Sequence, residues 1–313
     1  MGTRPTLLLI VPPGWGRFWH EPLTAADVRA YIYGQDEYAP GDIEYALGFR
    51  PKPGLLKSLP NLKAVFSLGA GIDGFLVDPD FPKHVPLVRF VDDTLSVEMA
   101  QYVVMHVLIQ HRCERMYASA QREAKWRQAM LPRPTENTRI GMLGIGEIGT
   151  MAAERLRDLG FPVAGWSRTR KTIEGIKSFA GAGELDAFLA QSDFLICLLP
   201  LTPQTRHILN AQLFAKLPNG AYVINVARGG HLVEADLIAA LDSGHLSGAT
   251  LDVYETEPLP PTSPLWRHPK IIATPHVAAI TSPTVAAKSV IEGIAAIERG
   301  EALKNVVDLN RGY

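Results

Sequence analysis

The sequence predicts an α/β fold with two domains, each built on a parallel sheet. Three observations lead there. Short apolar, β-branched runs alternate with helical patterns in two separate series, as expected of strands buried on both faces. A stretch free of Pro and Gly, Ser96 to about Ala124, stands between the series and reads as one long helix. The 313 residues suit two domains on a prior of about 150 residues each.

In chain order, Leu7–Val11 is a continuous apolar strand and Ala25–Tyr33 reads as helix. Ile43–Phe49 and Leu62–Leu68 are strand-like, and Leu87–Val91 is a short strand bounded by Pro86. The long helix follows. Ala129–Asn137, with Pro132 and Pro134, reads as a loop and a contact arm. The second series begins with strand Ile140–Leu143, helix Ile148–Leu159 and strand Val163–Trp166. It continues through strands Phe194–Leu199, Tyr222–Val226, Ala249–Val253 and Ile271–Thr274, with Glu234–Leu241 helical between them. A last helix, Val285–Arg299, precedes the polar end Asp308–Tyr313, and this tail is expected to return to the first domain. The expected domains are therefore residues 1–99 with 280–313, and residues 100–279.

Hydrophobic residues at 47% and charged residues at 20% describe an ordinary globular chain rather than a disordered one. Lys plus Arg number 31 against 32 Asp plus Glu, so no global field gathers nucleic acid or an anionic membrane. Leu7–Val11 is too short for a signal-peptide core, and no uncharged apolar stretch nears the roughly 20 residues of a membrane span. Two cysteines suit a reducing cytoplasm and are too few for a disulfide framework or structural zinc site. Both read as inert, Cys113 in a helix and Cys197 in a buried strand. His106 and His111, five apart on a helix, do not share a face, and no metal site is expected. No Gly-x-Ser-x-Gly elbow supports hydrolase chemistry.

The strongest local motif is Gly144-Ile145-Gly146-Glu147-Ile148-Gly149, which follows a strand and opens a helix. That placement is what a dinucleotide-binding turn requires, with phosphates met by the unpaired N–H groups of the helix N-terminus. A glycine turn without a ligand is the alternative, and the strand-to-helix context favours binding. The next strand ends Ser167-Arg168-Thr169-Arg170-Lys171, with no carboxylate until Glu174. An acidic residue there would hold the ribose 2′-hydroxyl of NAD, whereas Ser167, Arg168 and Arg170 suit a 2′-phosphate. NADP(H) is favoured and NAD(H) is less so; a solvated basic turn is the rival.

Three further residues lie beyond later strand ends: Arg228, Glu257 and His276. Ligands of open parallel sheets bind at the carboxyl ends of strands, so a cation, a carboxylate and an imidazole converge on the cofactor edge. The set suits carbonyl reduction beside a carboxylate. Arg228 would clamp the carboxylate, His276 would donate a proton, and Glu257 would orient the ring and favour its charged form. Taken singly each has a plain structural alternative; their shared placement carries the assignment. Ser67-Leu68-Gly69-Ala70-Gly71 in the first domain is a weaker signal, a small-residue turn able to approach an anion.

The chain resembles the D-isomer-specific 2-hydroxyacid dehydrogenases, closest to their glyoxylate/hydroxypyruvate reductase A subgroup. The likeness runs through Ala64–Gly71, Trp166–Lys171, Asn225–Gly229, Leu251–Val253, Glu257–Pro260 and Thr274–Ala279. It implies two Rossmann-like domains, a doubly wound cofactor domain and a flavodoxin-like substrate domain, with the active site in the cleft between them. It also implies hydride reduction of small 2-keto acids such as glyoxylate and hydroxypyruvate to D-2-hydroxy acids. By the same resemblance, Arg228, Glu257 and His276 match the catalytic trio. Asp252 would meet the carboxamide end of the cofactor, beside Val226 and Ala227, while Leu199, Pro200 and Thr205 line its adenosine side. Phe49, Gly69, Ala70 and Gly71 would contact substrate. Phe49 stands near where the subgroup tends to carry Trp, which leaves the preferred keto acid open. The family pattern further implies a homodimer through residues 102–134, in which Trp126 reads equally as an interface anchor or a core residue. A D-lactate or phosphoglycerate type of dehydrogenase, or a nucleotide-sensing protein without chemistry, are the rival readings.

Overall fold

The protein's structure, a computed structural model, describes residues 4–128 and 133–309. The chain divides into two compact units, Met1–Asp92 with Thr281–Tyr313, and Asp93–Ile280.

The first unit opens with β1 (Thr6–Ile10), whose five residues are all buried. Helix α1 (Gly16–Ala25) follows and buries Gly16, Trp19 and Leu23, one face at helical spacing. The expected helix over Ala25–Tyr33 is corrected here. Asp27 adopts a left-handed φ of 61° that breaks the helix, and β2 (Arg29–Ile32) then pairs with β1 at the sheet edge. After β3 (Tyr45–Gly48), β4 (Ala64–Ser67), α2 (Asp73–Leu76) and β5 (Leu87–Val88), the strand order is β2-β1-β3-β4-β5, all parallel. The order reverses between β1 and β3, the switch point where such sheets take ligands. Phe49 is the first residue past β3, and Gly69–Gly71 lie just past β4.

The second unit begins with α3 (Asp93–His111) and α4 (Glu114–Arg122). The single helix expected from Ser96 is thus two. Cys113, with φ of 59°, stands at the break rather than inside a helix. Trp126 is 96% exposed, which removes the core reading of that residue. Of the expected 129–137 arm, residues 129–132 lie outside the described residues, as do 310–313 of the polar tail. The sheet follows: β6 (Ile140–Leu143), α5 (Glu147–Asp158), β7 (Val163–Ser167), β8 (Ile176–Ala180), α6 (Gly181–Leu189) and β9 (Phe194–Cys197). It is completed by α7 (Ala211–Phe214), β10 (Ala221–Asn225), α8 (Glu234–Asp242), β11 (Leu246–Leu251) and β12 (Ile271–Ala273). The order β12-β11-β10-β9-β6-β7-β8 is parallel throughout and reverses at β6/β9. β8 escaped the sequence reading because an edge strand buries little, here Ile176 and Phe179 around exposed Lys177. β6, β9 and β10 are buried along their whole length between two apolar clusters, which explains their unbroken hydrophobic runs.

Helix α9 (Pro283–Glu298) then packs in the first unit against α1. Its last residue accepts a hydrogen bond from the Tyr45 hydroxyl at 2.6 Å and pairs with Lys63 at 2.7 Å. Among the described residues, no helix is long and apolar enough to cross a membrane, and no group of three or more His, Cys, Asp or Glu could hold a metal ion.

One buried group makes stability depend on pH. His106 on α3 is 3% exposed, and among the described residues its Nε2 has no hydrogen-bond partner. Burial pushes its pKa down to about 4. The unfolded chain takes up this proton near pH 6.5 and the native protein only near 4, so stability falls as pH drops through that window. His106→Leu should flatten the loss by about 3 kcal/mol between pH 7 and 4. Urea unfolding of both proteins at the two pH values checks this; parallel losses would exclude His106 as the source.

Candidate active site

The turn from β6 into α5 is shaped by close approach. A Cβ on Gly149 would sit 2.1 Å from the Gly144 carbonyl oxygen, so only glycine lets the first turn of α5 pack against the strand end. A Cβ on Gly146 would meet nothing within 4 Å, so this residue, the N-cap of α5, faces open space. The α5 N–H groups there have no preceding turn to accept them. Glu147 and Ile148 form the helix's first turn. The cradle fits a diphosphate, and it lies at the β6/β9 switch point.

At the end of β7, Ser167 Oγ donates to the Thr169 carbonyl at 2.7 Å, shaping the turn. Arg168, Thr169 and Arg170 are exposed. Arg170 donates to the Ser178 carbonyl at 2.6 Å and pairs with Glu184, a carboxylate that the sequence reading did not weigh. Glu184 also accepts the Ala180 N–H, and that bond together with Arg170 holds its carboxyl below the usual range. Beyond β9, Thr205 Oγ1 donates to the Pro200 carbonyl at 2.7 Å and accepts the Thr202 N–H at 2.8 Å, which closes the Leu199–Thr205 loop on itself.

Arg228 follows β10 by way of Val226 and Ala227, both buried. Its backbone is fixed from below. The Asn225 side chain donates to the Arg228 carbonyl at 3.1 Å and accepts the Ala227 N–H at 3.2 Å, and His231 Nδ1 lies 3.1 Å from the same carbonyl. Both Asn225 and His231 are fully buried. A Cβ on Gly229 would fall 1.8 Å from the Tyr254 carbonyl carbon, so this loop can seat only glycine after Arg228. The guanidinium donates to the Ala227 carbonyl at 2.7 Å and is partly exposed.

His276 and Glu257 are brought together. Glu257 Oε2 lies 3.0 Å from His276 Nδ1, and Oε1 accepts the Tyr254 N–H at 3.0 Å. The carboxylate is therefore aimed by backbone before it aims the ring. His276 has a left-handed φ of 57°, a conformation a residue with a Cβ adopts only when its surroundings hold it there. Asp252, 1% exposed, supplies the hold. Its carboxylate accepts the N–H groups of Val277 and Ala278, both at 2.9 Å, and the Thr274 hydroxyl at 2.6 Å. Its own carbonyl accepts the His276 N–H at 2.8 Å.

The second unit thus sets a guanidinium, a carboxylate–imidazole pair and a phosphate-type cradle beyond the strand ends of one doubly wound sheet. Those features define a nucleotide-dependent dehydrogenase domain. The sequence profile of the D-isomer specific 2-hydroxyacid dehydrogenase NAD-binding domain matches residues 104–278. A glyoxylate/hydroxypyruvate reductase A from Serratia proteamaculans (strain 568) is 45% identical over 296 residues, 93% of each chain. The chain belongs to the D-isomer specific 2-hydroxyacid dehydrogenase family. Among solved structures, a family member from Xanthobacter autotrophicus Py2 in complex with NADPH and MES is 43% identical, with a TM-score of 0.92 over 99% of this chain and 100% of that one. An NADPH-dependent glyoxylate/hydroxypyruvate reductase from Sinorhizobium meliloti, in complex with NADP and sulfate, is 40% identical with the same TM-score and coverage.

Asn225, His231 and Thr274 were missed as functional supports. The one available signal for Asn225 was a polar residue closing an otherwise apolar strand.

Proposed function

We propose that this protein reduces small 2-keto acids, glyoxylate and hydroxypyruvate among them, to D-2-hydroxy acids with NADPH. The observation that carries the reading is the Glu257–His276 pair, held beyond the strand ends of a sheet that also presents Arg228. When bound, the reduced nicotinamide supplies the hydride. Gly144, Gly146, Glu147, Ile148 and Gly149 hold the diphosphate. Leu199, Pro200 and Thr205 line the adenosine side, and Val226, Ala227 and Asp252 lie toward the nicotinamide.

Arg228 binds the substrate carboxylate through its planar guanidinium. With Nδ1 given to Glu257, His276 uses Nε2 to protonate the oxygen that becomes the hydroxyl. A cytoplasmic homodimer completes the reading. Its support is Met105 on α3 and Trp126 past α4, large apolar side chains that stand exposed on the single chain.

The test is NADPH oxidation against a panel of keto acids, with NADH alongside. Turnover of glyoxylate or hydroxypyruvate with NADPH is expected, and no oxidation with any keto acid would overturn the reading. For the 2′-phosphate, Arg168→Ala should weaken NADPH binding more than tenfold and leave NADH nearly unaffected, since charge-assisted bonds are worth about 1.5–3 kcal/mol. Arg170→Ala should also weaken NADPH binding, by an amount reduced by the Glu184 carboxylate that already holds that guanidinium. Equal use of both cofactors by the wild type would remove the 2′-phosphate assignment.

A further inference from the structure

We propose that Tyr102, on α3, is a positioning residue for His276, acting through Thr274 and Asp252; the proposal rests on the reading of His276 as proton donor. The Tyr102 hydroxyl lies 2.5 Å from Thr274 Oγ1, which in turn lies 2.6 Å from Asp252 Oδ1. A threonine hydroxyl has one proton, and an ionised carboxylate can only accept, so Thr274 donates to Asp252 and Tyr102 donates to Thr274. The chain runs in one direction, Tyr–OH to Thr–OH to carboxylate, and each bond polarises the next.

The end of the chain is the clamp on the catalytic loop. Asp252 accepts the N–H groups of the two residues after His276 and holds the left-handed backbone that aims the ring. The Thr274 backbone is also held, since its carbonyl lies 3.0 Å from the Tyr254 hydroxyl, whose one proton it shares with the Leu251 carbonyl at 2.9 Å. The Tyr102 ring is fixed as well, packed 4.3 Å from the His106 ring and almost wholly buried. A phenol is protonated at neutral pH in any case, and burial pushes the Tyr102 pKa further above its ordinary value. A phenylalanine would fill the same space; what the site gains from tyrosine is the hydroxyl alone. Without it, Thr274 Oγ1 loses the partner that sets its rotamer, and the proton it gives Asp252 is no longer aimed.

The test compares Tyr102→Phe, Thr274→Val, Thr274→Ser and the Tyr102→Phe/Thr274→Val double variant in NADPH-linked glyoxylate reduction. One hydrogen bond's net worth predicts that Tyr102→Phe lowers kcat by roughly 3–10-fold, with glyoxylate KM and NADPH affinity unchanged within about twofold. The solvent deuterium isotope effect on kcat should rise, because a poorly aimed donor makes proton transfer a larger part of the barrier. Thr274→Ser, which keeps the hydroxyl, should retain the wild-type rate. The double variant should be no slower than Thr274→Val, since both cut one chain. An unchanged kcat in Tyr102→Phe, or a loss that follows a lowered Tm with an unchanged isotope effect, would overturn the proposal. His276→Ala in the same assay separates the two layers. An inactive His276→Ala beside a wild-type Tyr102→Phe overturns the positioning role alone; an active His276→Ala overturns the proton-donor reading and the positioning role with it.

Discussion

Replacing His276 with alanine is expected to lower kcat for keto-acid reduction by about 10²–10⁴, the usual contribution of a positioned acid–base group, with NADPH binding unchanged. Reduction leaves charge on the former carbonyl oxygen, and imidazole is the one side chain of ordinary acidity suited to give up a proton near neutral pH. The geometry explains why the effect should be large. Nδ1 is 3.0 Å from Glu257, which is itself anchored to the Tyr254 N–H, so the ring is aimed and its tautomer set before substrate arrives. Glu257→Gln keeps the shape and removes the charge, and should lose part of the same factor without changing NADPH affinity. Single-turnover rates with NADPH and glyoxylate, alongside fluorescence titration of NADPH, measure both. A His276→Ala protein that keeps the wild-type rate would sink the mechanism.

Arg228→Lys should cost roughly 10–150-fold in kcat/KM for keto acids, the equivalent of one charge-assisted hydrogen bond of about 1.5–3 kcal/mol. A guanidinium meets a planar carboxylate with two parallel bonds, whereas an ammonium is a point charge on a flexible stem. The structure prepares Arg228 for that role, because three buried neighbours, Asn225, His231 and Gly229, fix its backbone while leaving the side chain partly exposed. Cofactor binding should change little. Steady-state kinetics with glyoxylate and with an aldehyde lacking the carboxylate check this. The penalty should vanish for the aldehyde, and an equal loss on both substrates would remove Arg228 from the carboxylate site.

The cofactor turn, the basic residues after β7, and the trio Arg228, Glu257 and His276 were all legible as residues, because strand ends and glycine spacing are local patterns. The approach of Glu257 to His276 was legible only as a shared edge; the 3.0 Å contact follows from β11 and β12 being neighbours in the sheet. Other parts were not legible. The edge strand β8 and the strand β2 bury too little to leave a period-2 pattern, and the break at Cys113 comes from one left-handed residue that composition does not announce. The pairing of Arg170 with Glu184, fourteen residues on, was not legible either, because it depends on how α6 packs beside β7 and β8.

By itself the sequence determined the class of fold and nominated the reacting groups. Both depend on repeated local rules: buried strands must be apolar throughout, a tight turn beside a phosphate needs glycine, and chemistry at a carbonyl needs a cation and an acid. Tertiary structure alone decided what holds those groups in place. Tyr102 reaches Thr274 across 172 positions of chain, and Asp252 clamps the His276 loop from 25 and 26 positions away. Contacts of that range are set by which strands become neighbours and which helix covers them, and a buried hydroxyl or carboxylate finds its partner only once the packed core has removed water as the alternative.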